Sequence, residues 1–110
     1  MNIDSLKAYG ADTDEGLARC MNMADFYLKM VNMAIAEDKV SVLRSQLEQG
    51  DLAAAFETAH AMKGVWGNLS VTPMYDAVSR ITELLRGRTQ TDYSPLMDEI
   101  SSLYDKLKAL

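Results

Sequence analysis

The sequence has few of the residues that would build a disulfide framework or a metal centre. Its 110 residues include one cysteine, one histidine and two prolines. Cys20 has no partner for an internal disulfide, and no cysteine or histidine cluster surrounds it, so the sequence predicts no structural zinc site. We expect a reducing compartment, with Cys20 as a small buried apolar residue.

The sequence also lacks the features of a membrane or nucleic-acid binder. No apolar run approaches the roughly 18 residues of a membrane span, and residues 1–9 lack the basic and apolar regions of a signal peptide. Acidic side chains outnumber basic ones by 16 to 11, for a formal net charge of −5. Because this charge repels a phosphate backbone, nucleic acid is not an expected partner. We expect a cytoplasmic protein with no membrane partner.

The residues that are abundant favour α-helix. Apolar residues make up 48% and charged residues 25% of the chain, a globular balance. Ala, Leu, Met, Glu and Lys dominate, whereas aromatic residues contribute only 7%. The length suits one domain over residues 1–110. We therefore predict a single all-α domain.

Capping signals divide the chain into helices. Asp12 followed by Glu15 has the spacing of a capping box, and Asn22 followed by Asp25 is a weaker form of that signal. Further starts and stops are indicated at Asp38, Gly50, Asp51, Thr72 with Pro73, Gly87, and Ser94 with Pro95.

Four predicted helices are long enough to span a bundle, at about 22–37, 51–69, 73–86 and 95–109. Short connections between the last three favour antiparallel neighbours. The sequence therefore predicts an antiparallel four-helix bundle with short additional N-terminal helices. In helix 22–37, Phe26, Met30 and Met33, with Val31 or Ala34, recur at helical spacing. All eight methionines are expected to pack in the interior.

The most informative stretch surrounds His60. At about 100° per residue, one arc of helix 51–69 collects the apolar residues expected to face the core, namely Leu52, Ala55, Phe56, Ala59, Met62, Trp66 and Leu69. His60 lies roughly 120° from the centre of that arc, at its rim. Gly64 and Gly67 fall within about 40° of His60 and leave the adjacent surface without side chains. We expect something large to approach there.

The residues beside His60 suit phosphoryl chemistry. Lys63 lies one turn along the same surface, where its ammonium could neutralise an anion on the imidazole. A neutral imidazole is a nucleophile that can accept and surrender a phosphoryl group. Before any resemblance is considered, a lone helical histidine near a lysine is more often a solvated surface residue.

The run from His60 to Gly64, followed by Asn68 and Leu69, resembles the signature of histidine-containing phosphotransfer (Hpt) domains of two-component phosphorelays. The resemblance extends upstream through residues 15–20 and 26–28 and downstream to residue 85. It implies a four-helix bundle in which His60 is phosphorylated, Lys63 is the neighbouring basic residue and Gly64 opens the site. The family places glycine where this chain has Ser70. Arg86 matches, more weakly, a basic residue near the site.

The resemblance implies a carrier rather than an enzyme. His60 would accept a phosphoryl group from a receiver-domain aspartate or a sensor histidine kinase and pass it to another receiver domain. No nucleotide-binding loop or acid pair predicts kinase activity of its own. We expect a monomer with no cofactor of its own, Mg²⁺ in the partner receiver domain, and Gly67 in the partner-binding surface. The alternative is a helical module that docks a partner through the same face without phosphorylation.

Overall fold

Seven α-helices make up the regular structure, and no strand is present. The computed structural model describes residues 1–110. The helices are α1 (Ile3–Tyr9), α2 (Thr13–Arg19), α3 (Ala24–Glu37), α4 (Lys39–Glu48), α5 (Leu52–Asn68), α6 (Thr72–Arg86) and α7 (Ser94–Lys108). The predicted all-α class is confirmed. None of the helices has the length and apolarity required to cross a bilayer.

Helices α4 to α7 form a four-helix bundle. Their backbones pack in a closed ring, with α4 against α5, α5 against α6, α6 against α7 and α7 against α4. Cross-helix contacts show that α5 and α6 are antiparallel, since Gly67 lies against Tyr75 whereas Lys63, one turn earlier, pairs with Glu83. The predicted bundle is therefore confirmed.

The helix that closes this ring is not the one expected. The sequence assigned the position to residues 22–37, whereas α4 occupies it and α3 meets the bundle through Tyr27 and Val31. The chain breaks at Asp38, whose backbone is left-handed with φ 47°. The Asp38 carboxylate accepts a hydrogen bond from the Ser41 backbone N–H and so caps α4. This break separates α3 from α4.

The core-facing side of α3 also differs from the prediction. Tyr27 and Val31 are fully buried, whereas Phe26 is 45% and Met33 52% exposed. Tyr27 sets this rotation, because its hydroxyl donates to the Leu69 carbonyl at 2.7 Å. The expectation that all methionines pack in the core is thus wrong. Those in the interior are Met62, Met74 and Met97, whereas Met21, Met23 and Met33 are exposed.

Most of the predicted helix starts are present. Asp12 and Asp51 each accept a backbone hydrogen bond in the first turn of the helix they precede. The Asn22 cap is wrong, because α3 begins after Met23 with no side-chain cap and Asn22 itself is left-handed. In α6 and α7 the prolines follow the first helical residue. The interior includes Cys20 and Trp66, as expected.

The Tyr27 hydrogen bond should be measurable as stability. Burial raises the pKa of Tyr27 to about 12. The neutral phenol is therefore favoured in the folded chain, and its contribution is complete below pH 10 and lost as pH rises toward 12. Tyr27→Phe should lower the free energy of unfolding by about 1–3 kcal/mol at neutral pH, because the buried Leu69 carbonyl loses its donor.

Urea denaturation at pH 7 and at pH 11 checks this expectation. The wild-type protein should lose more stability between the two pH values than Tyr27→Phe does. Equal losses would show that Tyr27 does not couple to unfolding. Tyr9, whose pKa burial also raises to about 12, is present in both proteins and cancels from the comparison.

Candidate functional site

His60 is exposed on α5, and its ring lies against an aromatic neighbour. The imidazole stacks on Phe56, with ring centroids 5.6 Å apart and an angle of 18° between the planes. Phe56 is half-buried and packs against the core, so it links the exposed ring to the interior. The two residues are four apart and share one helix face. The structure thus places His60 at the rim of the buried arc, where the sequence put it.

Lys63 lies above the contact between α5 and α6, in a groove that His60 also lines. Its Nζ is 3.8 Å from Glu83 Oε1 and 5.9 Å from the centre of the Tyr75 ring. The Lys63 side chain is 28% exposed, so it is held along the groove more closely than a free surface lysine. The structure therefore brings Lys63 onto the surface that carries His60.

Two arginines lie against Phe56, the residue on which His60 stacks. The guanidinium carbons of Arg86 and Arg88 are each 5.1 Å from the centre of the Phe56 ring. Arg86 Nε also donates to Glu83 Oε2 at 3.3 Å. Glu83 therefore contacts cations on both sides of the site. The sequence indicated Arg86 only weakly and did not indicate Phe56, Glu83 or Arg88 as site residues.

Helical spacing could have found part of this cluster. Phe56 precedes His60 by four residues, and Glu83 precedes Arg86 by three, so each pair shares a face. The registration of α6 against α5 is set by packing between distant residues. Spacing along one helix does not predict this registration. The contact between Lys63 and Glu83 is therefore visible only in the structure.

The two predicted glycines have different surroundings. A Cβ built on Gly64 would have nothing within 4 Å, so the surface next to His60 is open there. A Cβ on Gly67 would lie 3.0 Å from two ring carbons of Tyr75. Gly67 therefore allows α6 to approach α5, and a role in partner binding stays a prediction.

An open groove of about 540 Å³ extends from His60 toward α2. Arg19 lies at its far side, where it pairs with Glu15 at 2.8 Å and donates to the Asn68 side chain at 3.5 Å. No pattern in the sequence predicts that α2 lies beside the histidine. Arg19 is therefore the second basic side chain that lines this groove, after Lys63.

Ser70 lines the same groove and has a strained backbone. Its φ is 57°, in the left-handed region, two residues after α5 ends at Asn68. Such a conformation favours glycine, which explains why the family pattern has glycine there. The Ser70 carbonyl accepts a hydrogen bond from the Asp12 N–H at 2.9 Å, which helps to hold the turn in place. The substitution leaves the end of the helix intact.

The sequence model of the Hpt domain family matches residues 33–110. The chain belongs to the Hpt domain family. The matched range contains α4 to α7, with His60, Lys63 and Gly64, whereas α1, α2 and most of α3 precede it. No curated protein and no solved structure matches the chain. The resemblance noted upstream of residue 33 stays a prediction.

Membership of the family carries general properties. Hpt domains act in phosphorelays as phosphotransfer carriers and are in general not kinases. They interact with receiver domains and histidine kinases. The residues of this chain form no group of three or more metal-ligating side chains.

The contrast between the two glycines is open to a direct test. Gly64→Ala should raise the free energy of unfolding by about 0.5–1 kcal/mol, because alanine favours helix and its methyl group meets no neighbour. Gly67→Ala should give a smaller gain or a loss, since Tyr75 must move. Urea denaturation of both variants measures the difference.

The matched control places Gly67→Ala in a Tyr75→Ala background. Removal of the ring should restore the gain in stability at position 67. Equal gains from Gly64→Ala and Gly67→Ala in the wild-type background would contradict the proposed contact between Gly67 and Tyr75.

Proposed function

We propose that His60 is the phosphoryl-accepting residue of this Hpt domain. It takes the group from a receiver-domain aspartate or a histidine kinase and passes it to the aspartate of another receiver domain. The observation that carries this proposal is the setting of the chain's single histidine. His60 lies exposed beside the open surface at Gly64, within the family's matched range, with Lys63 one turn away.

The transfer is a displacement at phosphorus. The lone pair of one ring nitrogen of His60 forms the N–P bond as the acyl P–O bond breaks, and the aspartate leaves with its electron pair as a carboxylate. The proton on the other ring nitrogen stays on the ring or passes to water. Stacking on Phe56 orients the imidazole, and Lys63 offsets the charge of the phosphoryl group. In this proposal the partner supplies Mg²⁺ and the chain needs no cofactor of its own.

His60→Gln should abolish phosphoryl acceptance and leave the fold intact, because the ring is exposed and outside the core. Lys63→Ala should slow transfer by about tenfold or less, the range of a charge that acts mainly when phosphoryl is present. The measurement is incubation with a phosphorylated receiver domain, followed by detection of an acid-labile, base-stable label. Circular dichroism checks the fold of each variant.

Undiminished labelling of His60→Gln would refute the proposal. The alternative function, a docking module that is never phosphorylated, predicts no label on the wild-type protein but preserved binding of a partner. Labelling and binding measured on the same samples separate the two functions.

We further propose that the exposed apolar side of α3 anchors the partner receiver domain. This methionine face is the set Met23, Phe26, Met30 and Met33. Met23, Phe26 and Met33 are 45–56% exposed, and Met30 is partly buried beside them. Large apolar side chains that share one exposed helix face typically mark an interaction surface.

The methionine face lies near α5, the helix that carries His60. A shallow apolar groove between α3 and α5 is lined by Ala34 and Glu37 on one side and by Ala61 and Val65 on the other. Met30 and Met33 lie one helical turn before Ala34 and Glu37, so the methionine face borders this groove. Ala61 directly follows His60. In this proposal, a receiver domain that covers His60 extends around α5 across this groove to α3, which gives its interface an apolar centre and a polar rim.

Met33→Glu should weaken receiver binding by about tenfold, since it places a charge in an apolar contact. The matched control is Val42→Glu, because Val42 is 40% exposed on α4, on the side opposite the buried Val40 and Leu43. The isotope-labelled protein is titrated with a receiver domain and followed by NMR. The chemical-shift changes report both the binding affinity and the residues at the interface. Shifts confined to α7, or equal losses from the two variants, would contradict this docking surface.

A further inference from the structure

The Glu83 carboxylate contacts two cations on opposite sides of the phosphorylation site. Its Oε1 is 3.8 Å from Lys63 Nζ, and its Oε2 accepts from Arg86 Nε at 3.3 Å. Arg86 in turn lies over the ring of Phe56, on which His60 stacks. Glu83 is therefore the acidic group that contacts both Lys63 and Arg86.

We propose that Glu83 is a positioning residue that pairs with Lys63 and Arg86 while His60 is unphosphorylated. When His60 is phosphorylated, the two cations leave Glu83 and bind the phosphoryl group. The inference rests on the phosphorylation of His60 proposed above. In the phosphorylated protein the ammonium of Lys63 turns from the carboxylate to the phosphoryl oxygens. Arg86 follows on the Phe56 side. Only ion pairs and hydrogen bonds change in this exchange, and no covalent bond forms or breaks.

The charges favour such an exchange. A phosphoryl group carries roughly −1.5 to −2 at neutral pH and offers three acceptor oxygens, whereas the carboxylate carries one negative charge. Both contacts of Glu83 are long and solvent-exposed, with side-chain exposures of 59% for Glu83, 51% for Arg86 and 28% for Lys63. Pairs of this kind are weak, so a stronger anion nearby displaces them.

The phosphoryl group on His60 is consequently held less tightly than it would be without the Glu83 carboxylate. The phosphoryl group must compete with Glu83 for both cations, and the displaced carboxylate remains near it. A relay carrier benefits from this competition, because a group bound too tightly would not be passed on. Loss of the carboxylate should therefore favour the phosphorylated state.

The test uses phosphoramidate as a donor, so that no partner protein is involved. One ring nitrogen of His60 forms the N–P bond as the P–N bond of phosphoramidate breaks, and protonated nitrogen leaves as ammonia. Phosphohistidine is followed by ³¹P NMR. Glu83→Gln should slow its hydrolysis and raise its steady-state occupancy by about two- to fivefold, the range of exposed ion pairs.

The matched control is Glu99→Gln. Glu99 pairs with Arg80 through an equally exposed contact between α6 and α7, away from His60. This variant loses the same charge and one ion pair, and its phosphohistidine should behave as in the wild-type protein. An equal effect from Glu99→Gln and Glu83→Gln would overturn the proposal, because net charge alone would then explain both.

A double-mutant cycle with Lys63→Gln tests whether Glu83 acts through the lysine. The gain from Glu83→Gln should be smaller by at least twofold in the Lys63→Gln background, since the competition for Lys63 is gone. Identical gains in the two backgrounds would show that Glu83 only repels the phosphoryl group, which contradicts the proposed exchange. A variant that merely altered packing would change the melting temperature instead.

A second readout needs no variant. The Arg86 Nε–H signal of the wild-type protein should shift on phosphorylation as its contact with Glu83 breaks, and an unmoved signal would overturn the exchange at Arg86. Failure of the wider function is distinguishable from failure of this inference. Absence of phosphohistidine in the wild-type protein refutes the role of His60, whereas labelled wild-type protein with unchanged Glu83→Gln refutes only the role of Glu83.

Discussion

Burial of one face of α5 determines where the single histidine of the chain points. Ala59 and Met62 are almost completely buried. Their burial fixes the rotation of α5 about its axis, and therefore the direction in which the neighbouring side chains point. Because successive residues are turned by about 100°, His60 must then point to the edge of the buried arc. The ring is exposed enough to react, yet Phe56 anchors it to the interior. Orientation of the histidine thus comes from core packing.

The charged side chains around His60 are arranged in pairs that are easily broken. Glu83 contacts both Lys63 and Arg86, and all three side chains are partly or largely exposed. Such pairs add little to stability. In the proposed function, these loosely held cations are available to a phosphoryl group on His60. The stability of the domain rests instead on the apolar interior, to which α1 and α3 contribute as well as α4 to α7.

Helix α3 illustrates how one tertiary contact redirects a whole helix face. Its apolar residues cover more than one side, and the spacing of Phe26, Met30 and Met33 was the pattern that suggested a core stripe. The buried hydroxyl of Tyr27 donates a hydrogen bond to the Leu69 carbonyl. The Tyr27 ring packs directly against Gly16, where a Cβ would clash with it. This contact turns the methionine face outward. On that outward side, α3 borders the apolar groove between α3 and α5.

Local features of the sequence determined the helical class, most helix boundaries and the exposed position of His60. Capping by Asp12, Asp38 and Asp51 and the periodicity of α5 act within one or two turns, so sequence spacing reports them. Tertiary structure alone decided which helix closes the bundle, which face of α3 is buried and which acidic residue lies beside Lys63. Those outcomes depend on contacts between residues far apart in the chain, such as Tyr27 with Leu69 and Lys63 with Glu83. No periodicity within a single helix encodes the registration of one helix against another.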